Sequence, residues 1–376
     1  MKILFTGGGS GGHFYPIVAV AEAINDETRE RRLLEPQLFY AAPDPYDREV
    51  LVANNITWVA TSAGKVRNYF SVLNFFDYFK TAWGVVRACV RIFFLYPDVV
   101  FSTGGYASFP TLVAARLFRI PVVLLQSDAD PGRVNKWAAK SAAKIAVAFA
   151  EGAEYFPKEK VAHTGNPVRK AALLPAREGA TEFLKLKKDL PVILVTGGSQ
   201  GSQTINDAVI DALPKLLERY QVVHQTGRTN FADVVGRSRI VINDSAIYER
   251  YKPFDYLNDL ATRMAAGVAS LVISRAGAGN IFETAAWGLP AILIPIPEPT
   301  SHDQTKNAFA YARAGGAAVI EQNNLTPGLL VSEIDRILSH EEAKHHMQAA
   351  ARAFARPDAA KLIANALLDI GLSHEE

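Results

Sequence analysis

Three short runs rich in glycine follow apolar stretches in this sequence. They are Gly7 to Gly12, Gly197 to Gly201 and Ala276 to Gly279. Glycine leaves backbone N–H groups uncovered, and at the start of a helix those groups carry partial positive charge. Such a loop binds phosphate without needing a lysine side chain. The sequence therefore predicts three anion-binding loops.

His13 directly follows the first loop, so we expect its imidazole at the mouth of a cleft, where the carboxyl edge of a sheet meets ligand. An imidazole titrates near neutral pH, which makes a general base one role for it. A hydrogen bond to substrate, or a cap on the following helix, is the other. The residues by themselves leave both roles open.

The first loop also fits the dinucleotide fingerprint Gly7-x-Gly9-x-x-Gly12. That fingerprint needs an acid at the end of the second strand, and Ala41-Ala42 stands there, with Asp44 displaced beyond it. Nicotinamide or flavin binding is thus a minor alternative, as is a tight turn with no ligand, and we expect no cofactor.

Glu283 is predicted in the first turn of the helix after the third loop. A carboxylate there either stabilises the helix dipole or accepts both hydroxyls of a ribose, and we favour the ribose. The polar segment from Ser301 to Asn307 is ambiguous, since it suits a helix cap as well as sugar hydroxyls.

Each glycine run lies between an apolar strand and a helical pattern, which is typical of parallel sheets covered on both faces. At 376 residues the chain is long enough for two domains, and we predict two doubly wound, Rossmann-like α/β domains. The first comprises 1–165 plus a returning C-terminal helix at 350–376, and the second 166–349, with a hinge near Gly165 to Arg169. Strands are predicted at Lys2–Thr6, Gln37–Ala41, Val99–Ser102, Val122–Gln126, Lys144–Ala148, Val192–Thr196, Val222–Gln225, Ile240–Val241, Ser270–Ser274, Ala291–Ile296 and Ala318–Ile320. Helices are predicted from Pro16 to Ile24, with Pro16 in the first turn, through Ile205, Val209 and Leu213, over Ile281–Trp287 and over Asp358–Leu368. The run Glu27 to Arg32 is predicted to be a solvated charged connection.

Composition excludes several classes of protein. The net charge of +2 argues against nucleic acid as the partner. The one cysteine, Cys89, is predicted to be a buried reduced thiol. The N-terminus has no apolar run long enough for a signal peptide, and we expect no export. The most apolar stretch, Trp83 to Tyr96, is interrupted by Arg87 and Arg91, so we expect no membrane span.

Taken together, the motifs resemble the MurG family, whose members add N-acetylglucosamine to a lipid-linked muramyl-pentapeptide. The matching segments run in one order over nearly the whole chain: Gly7 to His13, Gly104 to Ser108, Asn135 to Trp137, Gly165 to Arg169, Gly197 to Gly201, Arg275 to Ala278 with Glu283, Gln304 with Asn307-Ala308, and Arg356 to Ala359.

The resemblance implies a GT-B fold of two Rossmann-like domains facing a cleft, and inverting transfer without a metal. It implies UDP-N-acetylglucosamine as donor and the C4 hydroxyl of undecaprenyl-linked muramyl-pentapeptide as acceptor. By position it makes His13 the candidate catalytic residue. Donor-binding residues would be Ser10, Gly11, Gly12, Asp128, Arg169, Ser199, Leu257, Ala278, Gly279, Asn280, Glu283, Asp303 and Gln304, and acceptor-binding residues Gly9, Tyr106 and Asn135.

The chain departs from the family pattern in one place. Where the family commonly has His-Glu-Gln-Asn, this chain has Leu125-Gln126-Ser127-Asp128. A histidine and a carboxylate are lost, and an amide donor becomes an acid at Asp128. An ionised Asp128 accepts hydrogen bonds from hydroxyls but donates none. The change also keeps a catalytically weak scaffold open as an alternative, beside another GT-B enzyme such as a glycolipid synthase or a UDP-sugar epimerase.

The stretch from Lys65 to Tyr96 is rich in aromatic and aliphatic residues. It carries Lys65, Arg67, Lys80, Arg87 and Arg91 against a single acid, Asp77. Aromatic and basic residues on one helix suit an interface with anionic lipid, whereas an ordinary buried helix pair with basic residues reaching outward is the alternative. With the resemblance, we expect a peripheral protein on the cytoplasmic face of the membrane.

Overall fold

The computed structural model describes residues 1–64, 72–198, 200–297 and 304–375, and only the backbone of 72–78, 374 and 375. The chain divides into two compact units. Met1–Arg169 with Arg356–Glu376 form the N-terminal unit, and Lys170–Ala355 form the C-terminal unit. Each unit has its own all-parallel sheet, so the predicted fold class of two doubly wound α/β domains is confirmed.

The sheet of the N-terminal unit has seven strands in the order β3-β2-β1-β4-β5-β6-β7. The order reverses between β1 and β4, which places the segments after these two strands side by side at the carboxyl edge. The strands are β1 Lys2–Thr6, β2 Gln37–Ala42, β3 Ile56–Ala60, β4 Val99–Ser102, β5 Val122–Gln126, β6 Lys144–Val147 and β7 Val161–His163. The helices between them are α1 Gly11–Glu30, α2 Arg48–Ala53, α3 Val72–Leu95, α4 Phe109–Leu117 and α5 Arg133–Ala138, with short 3₁₀ turns at Tyr106–Ser108, Ala150–Tyr155 and Lys158–Lys160.

The C-terminal unit repeats the plan with six strands in the order β10-β9-β8-β11-β12-β13. Here the reversal lies between β8 and β11, so the second and third glycine runs become neighbours. The strands are β8 Val192–Thr196, β9 Gln221–Gln225, β10 Tyr251–Phe254, β11 Ala269–Ser274, β12 Ala291–Leu293 and β13 Ala317–Val319. The helices are α6 Lys170–Leu173, α7 Ala180–Phe183, α8 Gln203–Arg219, α9 Phe231–Val241, α10 Ser245–Tyr248, α11 Asp259–Val268, α12 Ala278–Trp287, α13 Gln304–Arg313, α14 Pro327–Leu338 and α15 Glu341–Phe354, with a 3₁₀ turn at Gln322–Asn324; α16 Ala359–Glu375 then returns to the N-terminal unit.

One predicted strand is wrong and three were missed. Ile240 and Val241 end helix α9, because Val234 and Ser238 are the side chains that this helix buries, and Ile240 is exposed. Strand β7 is only three residues long, and β10 contains Pro253, which weakens a strand signal. Proline is accepted there because β10 is an edge strand. Strand β3 is the third that the sequence did not predict.

Helix α1 differs from its prediction at both ends. It begins at Gly11, so Pro16 lies in the second turn, where its missing N–H leaves the Gly12 carbonyl without its helical donor. It continues to Glu30, so most of the segment predicted to be a solvated connection is helical. Glu27 is only 5% exposed.

The burial of Glu27 has its cause in α16, which packs along α1. Lys361 Nζ lies 2.8 Å from Glu27 Oε1 and 3.3 Å from Glu30 Oε2. Arg31 Nη1 donates to Asp369 Oδ1 at 2.6 Å. These contacts fix the last helix to the N-terminal unit, and they could not be read from the local pattern of Glu27 to Arg32.

Two further expectations concern the cysteine thiol and membrane-spanning helices. Cys89 is a free thiol but half-buried rather than buried, since it lies at the border of the helix face that packs on α4. Among the described residues, the helices are all too short or too polar to cross a bilayer.

A substitution at Gly201 tests how tightly the second glycine run is packed. Its φ is +75°, and a Cβ there would fall on the backbone carbonyl of Thr226. We expect Gly201→Ala to lower the free energy of unfolding by about 2 kcal/mol or more, measured by urea denaturation. The control is Gly236→Ala in the interior of α9, where a Cβ meets nothing within 4 Å, and we expect stabilisation of about 0.5–1 kcal/mol. Equal effects of the two variants would contradict the packing described here.

Candidate active site

The first glycine run lies where the sheet of the N-terminal unit reverses. A Cβ at Gly7 would fall on Thr103 Oγ1, and a Cβ at Gly9 would come 3.0 Å from the ring of Tyr106, with φ of Gly9 at +93°. Helix α1 starts at Gly11, and its first N–H groups have no acceptor within the helix. Ser10 and Gly12 are exposed. The run therefore presents open amides, as the sequence predicts for an anion-binding loop.

The orientation of His13 is set by a backbone oxygen. Its Nδ1 lies 2.9 Å from the carbonyl oxygen of Thr103, at the end of β4. A carbonyl accepts and cannot donate, so Nδ1 carries the proton, and in neutral imidazole Nε2 is the unprotonated nitrogen. The hydroxyl of Thr103 donates in turn to the His13 carbonyl at 2.9 Å. His13 Nε2 faces the Gly104–Gly105 turn, since a Cβ at Gly105 would lie 3.1 Å from it.

The charge state of His13 follows from its surroundings. Burial lowers the pKa of His13, while the Asp128 carboxylate and the Thr103 carbonyl act in the raising direction. The net shift is downward, so the imidazole is neutral at pH 7 with Nε2 available to take a proton. This geometry fits a general base and gives the ring no helix-capping role.

Asn135 and Gln126 form a buried amide network behind the Gly104 turn. Asn135 Nδ2 donates to Gln126 Oε1 at 2.8 Å and to the Leu125 carbonyl at 3.1 Å. Gln126 Nε2 donates to the backbone carbonyl of Asp128 at 2.8 Å. Asn135 is 5% exposed, and a Cβ at Gly104 would come 2.6 Å from its Oδ1. Asn135 thus positions the segment that carries Asp128, and its predicted contact with an acceptor stays a prediction.

Arg169 lies in the N-terminal unit beside the start of α1. Its guanidinium carbon is 4.3 Å from the centroid of the Tyr15 ring, a cation–π geometry. That contact orients the side chain next to the first glycine run. The predicted contact of Arg169 with the donor stays a prediction.

The third glycine run, in the C-terminal unit, leads into helix α12 and leaves backbone amides open at its start. Gly277 is the N-cap of α12, and the amide of Ile281 is the first to bond back into the helix, to the Gly277 carbonyl at 3.1 Å. The amides of Ala278, Gly279 and Asn280 therefore lack helical acceptors. A Cβ at Gly279 would meet nothing within 4 Å, so space is open above this turn.

Glu283 lies in the second turn of α12, not in the first turn as predicted, because the helix already begins at Ala278. Its side chain is half-buried. A helix dipole is felt most in the first turn, so this position weakens the purely helix-stabilising interpretation of Glu283.

Gln304 starts α13 and is tied to the chain after β12. Its Oε1 accepts from the Ile296 N–H at 3.0 Å, and a Cβ at Gly277 would lie 3.9 Å from its Nε2. The structure thus places Gln304 beside the third glycine run, as a shared site requires. Ser199 and Asp303, both predicted donor-binding residues, lie outside the described residues.

Gln225, which sequence reasoning missed, connects Leu257 to the second glycine run. Its Oε1 accepts from the Leu257 N–H at 3.0 Å, and its Nε2 donates to the Gly198 carbonyl at 2.9 Å. The backbone N–H of Leu257 is therefore already engaged, and its carbonyl accepts from Thr262 Oγ1 at 3.2 Å.

Thr103 was also missed, and no sequence signal marks a backbone carbonyl as the partner of His13. Gln225 could have been found from the sequence, because it is a polar residue at the end of an apolar strand.

Comparison with known proteins decides the family. Residues 3–147 match the glycosyltransferase family 28 N-terminal domain, and residues 192–363 match the family 28 C-terminal domain. A UDP-N-acetylglucosamine–N-acetylmuramyl-(pentapeptide) pyrophosphoryl-undecaprenol N-acetylglucosamine transferase of Bacillus thuringiensis is 36% identical over 343 residues, 91% of this chain and 93% of the relative. The transferase of the same name from Treponema denticola is 33% identical and covers 100% of this chain and 99% of its own. The chain belongs to this transferase family.

Solved structures agree on the architecture. The crystal structure of Acinetobacter baumannii MurG matches with a TM-score of 0.72 at 24% identity, covering 98% of this chain and 99% of that one. A UDP-GlcNAc 2-epimerase from Neisseria meningitidis matches with a TM-score of 0.67 at 15% identity, covering 98% and 100%. Both show the shared GT-B fold. The resemblance to the MurG family that the motifs predicted is confirmed, and the family member described here is a glycosyltransferase.

The effect of Asp128 on His13 is testable by titration. Because the carboxylate acts to raise the pKa of His13, Asp128→Asn should lower that pKa further, so that protonation occurs at more acidic pH. NMR titration of the His13 ring, assigned with His13→Gln, measures the shift. The control is Asp130→Asn, which removes a nearby acid paired with Lys136 at 3.2 Å and should leave the His13 pKa in place. A rise or no change on Asp128→Asn would contradict the described coupling.

Proposed function

We propose that this chain transfers N-acetylglucosamine from UDP-N-acetylglucosamine to the C4 hydroxyl of undecaprenyl-linked N-acetylmuramyl-pentapeptide, inverting the anomeric carbon. The donor and acceptor are those in the names of relatives that match 91% or more of the chain. The observation that carries the mechanism is the 2.9 Å bond from His13 Nδ1 to the Thr103 carbonyl, which leaves Nε2 as the base.

The N-terminal unit supplies the base and holds the acceptor. His13 Nε2 takes the proton of the C4 hydroxyl as the oxygen attacks the anomeric carbon. Gly9 lies against the Tyr106 ring, and Gly105, which precedes Tyr106 in the chain, lies beside this nitrogen. In the proposed reaction Tyr106 and Gly9 receive the acceptor, with Asn135 behind the Gly104 turn. The open amides of Gly11 and Gly12, with Ser10, Asp128 and Arg169, meet the reacting end of the donor.

The C-terminal unit holds the donor. The amides of Ala278, Gly279 and Asn280 bind the diphosphate and stabilise the charge that UDP gains when the sugar–oxygen bond breaks. Glu283 accepts the ribose hydroxyls, and Gln304, with Asp303, contacts the sugar. Leu257 lines the uracil pocket, where its carbonyl still has one lone pair to offer, and Ser199 contacts the uridine diphosphate.

Transfer of radiolabelled sugar from UDP-N-acetylglucosamine to a lipid-linked acceptor tests the reaction. His13→Ala should lower turnover about 10²–10⁴-fold, the usual contribution of a general base, while UDP affinity stays unchanged. Unchanged turnover would remove His13 from this role. Turnover of UDP-N-acetylglucosamine without acceptor would instead identify an epimerase, and UDP binding without any turnover would identify a scaffold.

We also propose that α3 attaches the protein to the inner face of the cell membrane. From Phe79 onward its exposed apolar side chains recur at helical spacing and form one stripe, in which Trp83 is 61% and Phe94 is 80% exposed. The members of this stripe are Phe79, Trp83, Val86, Val90, Phe93 and Phe94. Gly84, Ala88 and Ile92 are buried on the opposite face. An ordinary buried helix would hide the aromatic residues, whereas here they are exposed.

The basic residues of α3 follow one border of this stripe. At 3.6 residues per turn, Lys80, Arg87 and Arg91 all fall between the apolar stripe and the buried face, and all three are exposed. Apolar side chains that enter the acyl region, next to cations at headgroup level, suit an anionic bilayer. Lys65 and Arg67, predicted to join this surface, lie outside the described residues.

Sedimentation with vesicles checks the attachment. We expect binding to vesicles containing phosphatidylglycerol and weak binding to pure phosphatidylcholine, because each basic residue near an anionic surface contributes about 1 kcal/mol. The double variant Arg87→Glu with Arg91→Glu should abolish the preference for anionic lipid. The double variant Trp83→Gln with Phe94→Gln should weaken binding to both kinds of vesicle. Lys215→Glu, an exposed charge reversal on α8, is the control and should bind like the native chain. Native-like binding by both double variants would remove α3 from this role.

A further inference from the structure

A buried arginine stands at the carboxyl end of β11, directly before the third glycine run. Arg275 is 8% exposed. Its Nη2 donates to Ser202 Oγ at 2.6 Å and its Nη1 to the Ile294 carbonyl at 3.1 Å. Both acceptors are uncharged, and none of the ion pairs found among the described residues involves Arg275.

This arrangement leaves a positive charge largely withdrawn from water. Burial lowers the pKa of Arg275, but a guanidinium in a protein stays protonated at neutral pH. Withdrawing a charge from water without an opposite charge is costly. A neutral side chain that donates two hydrogen bonds would serve Ser202 and Ile294 at a lower cost. The need for hydrogen bonding does not by itself explain an arginine here.

The position of Arg275 relates it to both glycine runs of the C-terminal unit. Ser202, which Arg275 contacts, is the N-cap of α8 directly after the second run, and its Oγ also accepts from the Ile205 N–H at 3.4 Å. The Arg275 carbonyl accepts from Asn280 Nδ2 at 3.3 Å, in the first turn of α12. The residue thus ties together the starts of α8 and α12, where the open amides lie.

We propose that Arg275 is a positioning residue that supplies a fixed positive charge beneath the diphosphate subsite without touching the nucleotide. The inference rests on the proposed function, since it assigns a charge preference to that same site. In the transfer, the anomeric C–O bond to the β-phosphate breaks and its electron pair stays on that phosphate oxygen, while the acceptor proton passes to His13. UDP leaves with one more negative charge than it had in the donor, and Arg275 stabilises that charge.

The affinities of uridine, UMP and UDP, measured by calorimetry, separate a charge effect from a structural one. We expect Arg275→Met to weaken the binding of UDP about tenfold, to weaken the binding of UMP less, and to leave the binding of uridine unchanged. The reason is that the Coulomb energy grows with the charge of the ligand. Arg275→Lys keeps the charge and should retain most of the graded preference. Should Arg275→Met fail to fold, Arg275→Gln removes the charge but keeps a hydrogen-bond donor, and the same graded loss is expected.

Arg250→Met is the matched control. Arg250 Nη1 also donates to neutral acceptors, the carbonyls of Leu217 at 2.7 Å and Glu218 at 3.1 Å. It precedes β10 and so lies at the amino edge of the same parallel sheet, away from the glycine runs. The Arg250→Met variant loses the same unit of charge and should bind uridine, UMP and UDP as the native chain does.

The outcomes that would overturn the inference can be told apart. Equal weakening of all three ligands by Arg275→Met and Arg275→Gln would show a structural role, and unchanged affinities would show no role. Failure of the native chain to bind UDP would overturn the proposed function and this inference with it. A native chain that binds UDP and transfers sugar, with no graded loss in the variants, would overturn the inference alone.

Discussion

Backbone N–H groups in the first turn of a helix cannot be paired inside that helix, and in each unit they lie at the edge where the strand order reverses. In the N-terminal unit they belong to Gly11 and Gly12, and in the C-terminal unit to Ala278, Gly279 and Asn280. At Gly7 and Gly201 a Cβ would fall on Thr103 Oγ1 and on the Thr226 carbonyl, so only glycine fits there, whereas at Gly279 the space is open. The glycine runs thus combine close packing at some positions with open space at others.

Buried side-chain amides hold these open edges in place. Asn135 and Gln126 brace the segment that carries Asp128, and Gln225 joins Gly198 to Leu257. An amide suits this work because it donates and accepts at the same time and carries no charge to desolvate. Asp128 is a charged exception beside one of these networks, and its carboxylate acts on the pKa of His13. In this chain the segment that departs from the family pattern is therefore coupled to the candidate base.

The role of His13 depends on a contact between residues 90 positions apart in the chain. The first glycine run places the imidazole at the sheet edge, but the Thr103 carbonyl from β4 decides which ring nitrogen carries the proton. Arg275 shows the same dependence in the C-terminal unit. Its neighbours in sequence are Ser274 and Ala276, whereas its side-chain hydrogen-bond partners are Ser202 at the start of α8 and Ile294 directly after β12.

The fold class, the family and the location of the glycine runs follow from the sequence alone, because apolar strands, glycine turns and helical spacing are local patterns. Other features depend on residues that are far apart in the chain and meet only in the folded protein. Glu27 is buried because α16 returns to cover it, Pro253 sits in a strand because that strand is at the edge, and Ile240 ends a helix because Val234 and Ser238 face inward. The tautomer of His13 and the isolation of the Arg275 charge also depend on tertiary structure. Folding brings near His13 its hydrogen-bond partner and surrounds Arg275 with residues that exclude water.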